Sequence, residues 1–390
     1  METEYLSGIE ARDRGLVDLC AEIVPDGYRV VIAHEAVATE DLCEYRPGSD
    51  PVDADGTPLW IYGSTLPRAL LERTSKVQVH EPFDESEVPA WFDLGFPRHL
   101  RGTTVPGYSC FSPDSLAAAA RELLDEFVAV RLKDPNGASG VGQWTIRDAG
   151  NLESVLAEVA EDIGTSCDVE LTEYLAHYGY VVEADIDDVE AWSVTLTRMP
   201  DGCYSSFGRI LEMTVDLEVR GTVQNYGGTS VVVVRGDPDA LEDLPDDGVV
   251  VDDPVRHEEI RLAPPPGVVR AAQRFIEGMR AWEPEGVVET RANVDVITGK
   301  LARRDGSRTE IAASVEESAR VGGASSAELL GILALREDAA LSHSVRSSRH
   351  GFDDEAVAYA RHAASVPGSR VFWNGVDEHW DGRYVFIGAY

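Results

Sequence analysis

Lysine is nearly missing from this 390-residue chain. Of 34 lysines and arginines together, only Lys76, Lys133 and Lys300 are lysine, which leaves 31 arginines (34 − 3). Long apolar runs are missing too. No stretch approaches the roughly 20 residues that a membrane helix needs, and Met1 to Glu10 carries acids without an apolar core, so neither a membrane anchor nor a signal peptide is expected. The five cysteines (Cys20, Cys43, Cys110, Cys167, Cys203) are scattered with no C-x-x-C pair, a pattern that suits neither a zinc site nor a disulfide framework. The nine histidines show no metal-ligand spacing, and no Ser-His-Asp or Cys-His set stands out. These absences point to a soluble, cytoplasmic protein without thiol or zinc chemistry.

What is abundant is negative charge. Seventy Asp and Glu give a formal net of −36. Such a surface repels nucleic acid and anionic membranes, so neither is expected as a partner. The acids are dispersed along the chain rather than gathered in a tail, and 43% of the residues are hydrophobic, enough to fold. A proteome bathed in molar salt, where the Debye length falls to about 3 Å, accounts for both the acids and the shortage of lysine. A halophilic cytoplasm is therefore expected, and within it each retained lysine becomes a candidate for function. Lys300, in an expected Thr298-Gly299 turn, reads as a plain surface charge.

At this length two or three lobes are expected rather than one core. Tyr28 to Ala33 and Leu59 to Tyr62 read as strands, with a helix from Leu66 to Thr74, a polar loop from Pro47 to Gly56 and a connection from Pro82 to Pro106. Ser112 and Pro113 open a helix through Phe127. A strand, Val128 to Lys133, leads into the loop Asp134 to Gly142 and a second strand, Gln143 to Ile146. Asp148 or Asn151 caps a helix to Ile163. Cys167 to Leu175 and Tyr178 to Ile186 read as strands, and Ala191 to Val234 as antiparallel β with an Asp201-Gly202 hairpin. Pro238 to Pro266 reads as an acidic loop. Then come helix Val268 to Trp282, strands Gly286 to Ile297 and Arg308 to Val315, helix Ser325 to Arg336, helix Glu355 to Ala364, and strands near Val371 to Trp373 and Tyr384 to Ile387. There is no internal repeat.

Two segments carry chemistry. In V-R-L-K-D-P-N-G-A-S-G-V-G (Val130 to Gly142) a strand ends in Lys133 and a glycine-rich loop follows. Glycines let backbone N–H groups approach a phosphate, and the lysine adds a point charge. No G-K-[ST] opens a helix and a strand follows, so this is neither a P-loop nor a dinucleotide fingerprint; a plain hairpin with a loose tip is the alternative. Downstream, Asp295 lies in the strand R-A-N-V-D-V, and V-E-E-S-A-R-V-G-G-A-S-S-A-E (Val315 to Glu328) follows. Two carboxylates on adjacent strands can share Mg²⁺. Arg320 could face a transferring phosphoryl group, and Gly322-Gly323 opens a helix whose free N–H groups suit an anion. An acidic surface hairpin is the alternative here. Tyr226-Gly227-Gly228 reads either as a tight turn or as a lining of the substrate side.

These parts resemble the ATP-grasp superfamily, in which a lysine-bearing strand and a glycine-rich lid cover the phosphates and an E-x-N-x-R-x-G-G segment binds metal. The strand Y-V-V-E-A-D-I (Tyr180 to Ile186) looks like the hinge that holds adenine. More narrowly, R-T-S-K-V-Q-V-H, P-G-Y-S-C-F-S, V-R-L-K, Y-G-G-T-S-V-V-V-V-R-G, S-A-R-V-G-G-A-S-S-A-E-L and S-R-V-F-W-N-G-V-D resemble the bacterial and archaeal family catalogued as domain of unknown function 3182, from about Leu66 to Tyr390. The resemblance implies an α+β fold: a small α/β pre-ATP-grasp domain (1–105), an ATP-grasp N-terminal subdomain (106–185), a C-terminal subdomain with the metal site (186–340) and a C-terminal extension (341–390). It implies that Lys76 and Lys133 hold ATP phosphates, and that Gly137, Ser139, Gly140 and Gly142 form the lid. Glu183, Ala184 and Ile186 would lie at the adenine. Asp295, Glu316 and Ser318 would bind Mg²⁺ or Mn²⁺, and Arg320 would act in catalysis with Lys133. Two of the three lysines thus fall on the two expected positions.

Two departures stand out. Ser318 occupies the usual asparagine position, and Ala191 the position of the ribose-binding glutamate, with Glu190 one residue early and Asp188 three early. The activity implied is an ATP- and Mg-dependent ligase that activates a small carboxylate as an acylphosphate for attack by an amine or similar nucleophile. A non-catalytic nucleotide-binding protein and a kinase-like transferase are the alternatives. The sequence leaves the oligomeric state open.

The charge makes the first prediction. The thermal midpoint should climb steadily from low to multimolar KCl, by on the order of ten degrees, as screening removes self-repulsion. Calorimetry across a KCl series checks this, and a flat response removes the halophilic reading.

Overall fold

The computed structural model describes residues 8–32, 37–38, 52, 55–66, 75–137, 142–217, 221–245, 247–253, 255–280, 288–318, 320–377 and 383–390. Strands are numbered along the chain. Near the N-terminus, β1 (Arg29–Ile32) pairs in parallel with β3 (Leu59–Tyr62), and β2 (Val37–Ala38) with β4 (Ser64–Leu66). A four-stranded antiparallel sheet is built from β5 (Gly107–Cys110), β6 (Val130–Lys133), β7 (Gln143–Ile146) and β8 (Tyr180–Ala184), in the order β5-β8-β6-β7.

The largest sheet follows. It contains β9 (Ile186–Met199), β10 (Gly202–Leu217) and β11 (Gly221–Arg235). The hairpin β12 (Val249–Asp253) and β13 (Glu258–Leu262) stands apart, and β14 (Val288–Glu289) joins β4. The sheet is completed by β15 (Arg291–Ala302), β16 (Arg308–Ser318), β17 (His343–Phe352), β18 (Arg370–Asp377) and β19 (Arg383–Ala389), in the order β16-β15-β9-β10-β11-β17-β19-β18. The fold is thus α+β, with helices covering mainly antiparallel sheets. The last fifty residues are hydrogen-bonded edge-on to β11 through β17 and extend this same sheet.

Local chemistry explains the elements. Ser112 accepts from the Ser115 N–H while the Ser115 hydroxyl answers the Ser112 N–H, and Pro113 sits at the first helical position, so the helix Pro113–Glu126 starts where the sequence predicts. The helix Val268–Arg280 places Val268, Ala271, Ala272, Phe275, Ile276 and Met279 on one stripe. That stripe packs on Trp192, Val194 and Leu196 of β9 and Ala292, Val294 and Val296 of β15. The opposite face of those strands carries Ser193, Thr195, Arg291 and Asn293, all buried as well. Period-2 alternation puts these polar side chains together, under the helix Ser325–Glu337, whose Glu328 is also buried.

Several expectations need correction. Cys167 to Leu175 is not a strand: the preceding helix runs to Cys167 and a new one spans Leu171–Tyr178. Asp168, in the left-handed conformation, makes the break. Pro238 to Pro266 is not all loop, because it holds a 3₁₀ helix, Pro238–Asp243, and the β12–β13 hairpin. Thr298-Gly299 lies inside β15, not in a turn; its glycine is needed because a Cβ there would meet the Asp187 carbonyl at 2.6 Å. Gly227 and Gly228 likewise lie within β11, beside a bulge opposite Leu211 and Glu212. The helix Gly8–Ile23 and strand β17 carry no expectation from the sequence. The Leu66-to-Thr74 helix falls on residues 67–74, outside the described residues. The Asp201-Gly202 turn joins β9 and β10 as expected.

Phe275 is fully buried and meets Phe96 edge-on at 5.0 Å. Phe275→Ala should therefore cost about 3–5 kcal/mol, read as a lower urea midpoint at constant high KCl.

Candidate functional site

The two lysine-bearing segments and the carboxylate segment meet. Lys76 lies in the short helix Ser75–Gln78, and its Nζ is 3.0 Å from Glu316 Oε2 on β16. The same ammonium donates to the carbonyl of Gly137, in the glycine-rich loop after β6. One lysine therefore ties the edge of the large sheet to the loop of the small one. Lys133, the last residue of β6, is ion-paired with Glu183 on β8. Antiparallel pairing sets Lys133 opposite Val181 and Arg131 opposite Glu183, so Lys133 reaches the carboxylate on the diagonal.

Glu183 is buried, and its second oxygen lies 3.1 Å from His80 Nε2. Burial alone would raise its pKa. The charge of Lys133 and the hydrogen bond and charge of His80 override burial and pull it from 4.5 down to about 2. The backbone beside it is engaged: the Ala184 N–H donates to the Pro106 carbonyl and the Asp185 N–H to that of Ala129, while Ile186 pairs with Leu301 at the start of β9. The loop itself turns on Asp134, whose carboxylate accepts from the Asn136 N–H and the Tyr174 hydroxyl, at 2.8 and 2.7 Å. Gly142 closes it with φ +73°, and a Cβ there would meet Asp134 at 2.8 Å. Ser139 and Gly140 lie outside the described residues.

Asp295 and Glu316 are direct partners in the β15–β16 ladder, so they share a face. The register slips just beyond them, leaving Val315 as the extra residue of a bulge that re-aims the strand at this point. Asp295 is pushed from 3.8 up to about 7, first by burial and then by the charge of Glu316. Its Oδ1 accepts from Asn293 Nδ2 at 3.0 Å. Among the described residues no cluster of three or more His, Cys, Asp or Glu side chains is gathered for a metal. The donor set is thus a pair of hard carboxylates whose like charge Lys76 offsets only in part, since Asp295 stays raised beside Glu316. That fits Mg²⁺ or Mn²⁺, which need only one or two protein carboxylates when phosphates complete the shell.

Behind this pair lies a network that the sequence reading missed. Arg291, buried, grips Glu328 with two bonds of 2.9 and 3.0 Å. Its remaining nitrogen donates to the carbonyls of Ser318 and Arg320. Tyr62 and Thr195 add hydroxyls to Glu328, and Arg291 stacks over the Tyr62 ring. Ser318 is thereby fixed by its backbone, directly opposite Asn293. Arg320 is exposed and its guanidinium donates to the Val321 carbonyl. The signal for Arg291 and Asn293 was present in R-A-N-V-D: polar residues at every second place on a strand whose other face is apolar. Glu328 stands out only as an acid among small residues in G-G-A-S-S-A-E.

The two acids suggested for ribose lie near the start of β9, just after Ile186. Asp188, with φ +55°, pairs with Lys300 at 2.9 Å, and Glu190 pairs with Arg209 at 3.2 Å. Both pairs are exposed, and Lys300 takes no part in the Lys76–Glu316 cluster.

Residues 60–384 match the model of a family described as a protein of unknown function (DUF3182), and the chain belongs to that family. No curated protein sequence matches it. Among solved structures it is similar to the biotin carboxylase domain of Hydrogenobacter thermophilus 2-oxoglutarate carboxylase with MgADP, ADP and bicarbonate, at 11% identity and a TM-score of 0.46, covering 97% of this chain and 84% of that one. It is also similar to a Campylobacter jejuni biotin carboxylase–β,γ-ATP complex (11% identity, TM-score 0.41, 84% of this chain) and to Vibrio cholerae D-alanyl-alanine synthetase A (11%, 0.36, 72%). The chain spans 65% and 64% of the lengths of these last two. Likeness at such scores carries no argument about chemistry.

Asp295 gives a pH prediction. Its folded pKa lies above the unfolded value of 3.8. The stability this contributes is fully present below the unfolded value and is lost as pH rises toward 7. Asp295→Asn removes that loss and keeps an acceptor for Asn293. Without metal, the variant should match wild type near about pH 4 and melt several degrees higher near about pH 8. Thermal melts at fixed KCl check this; equal shifts at both values would contradict it.

Proposed function

We propose that this member of a family of unknown function is a Mg-ATP-dependent ligase of the ATP-grasp type, joining a small carboxylate to an amine or similar nucleophile. The observation that carries the reading is the Lys76 contact. Its ammonium joins Glu316 of the carboxylate pair to Gly137 of the glycine-rich loop, so three segments distant in sequence meet at one point. A polyanion bound there would find two ammonium groups, a loop of backbone N–H groups and a pair of carboxylates for its cation. In this reading residues 106–185 and 186–340 form the two lobes around the nucleotide.

A carboxylate oxygen attacks the γ-phosphorus of ATP, the bond to the β-bridging oxygen breaks, and ADP leaves. The nucleophile then adds to the acyl carbon, phosphate departs, and the nucleophile loses a proton. Lys76 and Lys133 hold phosphate oxygens, Asp295 and Glu316 hold the cation, and Arg320, exposed on the connection after β16, swings onto the γ-phosphoryl group. Bound Mg²⁺ supplies charge neutralisation between phosphates. The residues mainly position and neutralise.

Lys133 must leave Glu183 to reach a phosphate. A simple Lys133→Ala change would strand a buried carboxylate beside His80, so it tests folding as well as binding. Lys133→Met with Glu183→Gln removes both charges together. That double variant should stay folded and bind Mg-ATP on the order of tenfold or more weakly, about 1.4 kcal/mol, whereas Lys300→Ala should bind like wild type. Glu316→Gln should abolish ADP release across a library of carboxylate and amine pairs at high KCl. Titration calorimetry and a coupled ADP assay check this. Wild-type turnover in Glu316→Gln, or equal loss in Lys300→Ala, would refute the assignment.

A further inference from the structure

Asn293 sits at the centre of the polar face of β15, between Arg291 and Asp295, and all three point the same way because they alternate along one strand. Its carboxamide is buried and hydrogen-bonded at both ends. The oxygen lies 3.3 Å from an Arg291 nitrogen, 2.6 Å from the Ser193 hydroxyl and 2.9 Å from that of Thr195; the nitrogen lies 3.0 Å from Asp295 Oδ1. Chemistry fixes which end is which. A guanidinium only donates, so the amide oxygen must face Arg291, and the amide nitrogen is left to face Asp295. Arg291 is itself locked by two bonds to Glu328. Orientation therefore passes in one direction, from the buried ion pair through the amide to one oxygen of Asp295.

Thr195 has one hydroxyl proton and also faces Glu328 Oε1 at 2.8 Å, but Arg291 and Ser193 alone occupy both lone pairs of the amide oxygen, so Asn293 has none to offer a cation. It lies opposite Ser318 in the ladder, the position where the E-E-S-A-R-V-G-G segment lacks an amide. We propose that Asn293 is a positioning residue. It pins Oδ1 of Asp295 and leaves Oδ2 for a divalent cation shared with Glu316, so that an amide on β15 orients the carboxylate while the serine on β16 merely fills the facing place. This rests on the metal reading of the Asp295–Glu316 pair given above.

The test measures Mn²⁺ binding by the loss of its free electron paramagnetic resonance signal, on the full chain at high KCl with ADP present. Wild type should bind one Mn²⁺ and Asp295→Asn should not. Asn293→Ala should bind at least tenfold more weakly, with a Tm too close to wild type to explain the loss. Adding Ser318→Asn to Asn293→Ala should recover part of the affinity, a rescue that a purely structural role would not produce. An unaltered Mn²⁺ affinity in Asn293→Ala overturns the positioning role while leaving the metal site standing. Failure of wild type itself to bind Mn²⁺ overturns the metal reading and this inference with it. Should Asn293→Ala not fold, Ser193→Ala with Thr195→Val decides. It keeps the amide and its Arg291 contact but removes the Ser193 donor and the hydroxyl that Thr195 shares between Asn293 and Glu328. The expectation is a several-fold loss of affinity, and wild-type affinity overturns the proposal.

Discussion

The bonded pair of Arg291 and Glu328 is the constraint on which the rest of the site depends. Both side chains are about 1% exposed. Withdrawing two charges from water costs several kcal/mol each, and the cost is offset only when every donor and acceptor finds a partner. Here the partners come from four directions. Tyr62 reaches in from β3, Thr195 from β9, the Ser318 carbonyl from the end of β16 and the Arg320 carbonyl from the connection beyond it. Only one register of β15 against its neighbours satisfies them all, since a one-residue slip would turn Arg291 onto the apolar face. The pair thus acts less as a source of stability than as a device that specifies how the N-terminal segment, the large sheet and the helix Ser325–Glu337 meet.

Around that fixed point the charges are arranged in tension. Lys133 and His80 hold Glu183 ionised, with its pKa lowered to about 2, so its contribution is full above 4.5 and is lost as pH falls toward 2. Asp295 is held the other way, raised to about 7, with a contribution that is lost as pH rises. One carboxylate is held by a lysine and a histidine, and the other is short of positive charge. A ligand that brings phosphates and a divalent cation together would relieve both: anionic oxygens can take the lysine from Glu183, and the cation can settle the repulsion between Asp295 and Glu316. In a chain of net charge −36, Lys76 meets this need only at Glu316, 3.0 Å away, and the pKa of the half-buried Asp295 stays raised.

Much of the architecture could be read from the sequence where the local signal was strong. The capping box at Ser112, the strand Val130–Lys133 that ends in a lysine, the strand Tyr180–Ala184 and the Asp201 turn carry their own instructions. Leu171–Tyr178 is a helix despite the strand expected up to Leu175, and the left-handed Asp168 marks where the preceding helix breaks. The strand β17, H-S-V-R-S-S-R-H-G-F, has arginines and serines where a sheet interior usually has aliphatics. Arg349 there is satisfied by Asp253 of the β12–β13 hairpin and by Ser230 of β11, partners far away in the chain. His80 and Glu328 escaped for the same reason, because each is defined by a partner that only folding supplies.

That difference also explains the apparent gap at Ser318. A motif is read along one strand, whereas a site is built across several. Glu316 and Ser318 lie two places apart on β16, and the residues facing them across the ladder are Asp295 and Asn293, two places apart on β15. In a sheet with period-2 side chains, these four positions form one rectangle on one face. An amide at one corner can orient the carboxylate beside it without being a ligand itself, and a pattern read along the other strand alone does not contain it. A serine at one corner is then no defect so long as an amide stands at the corner across from it, held by Arg291. The two strands, not either alone, are the unit in which this segment's pattern is complete.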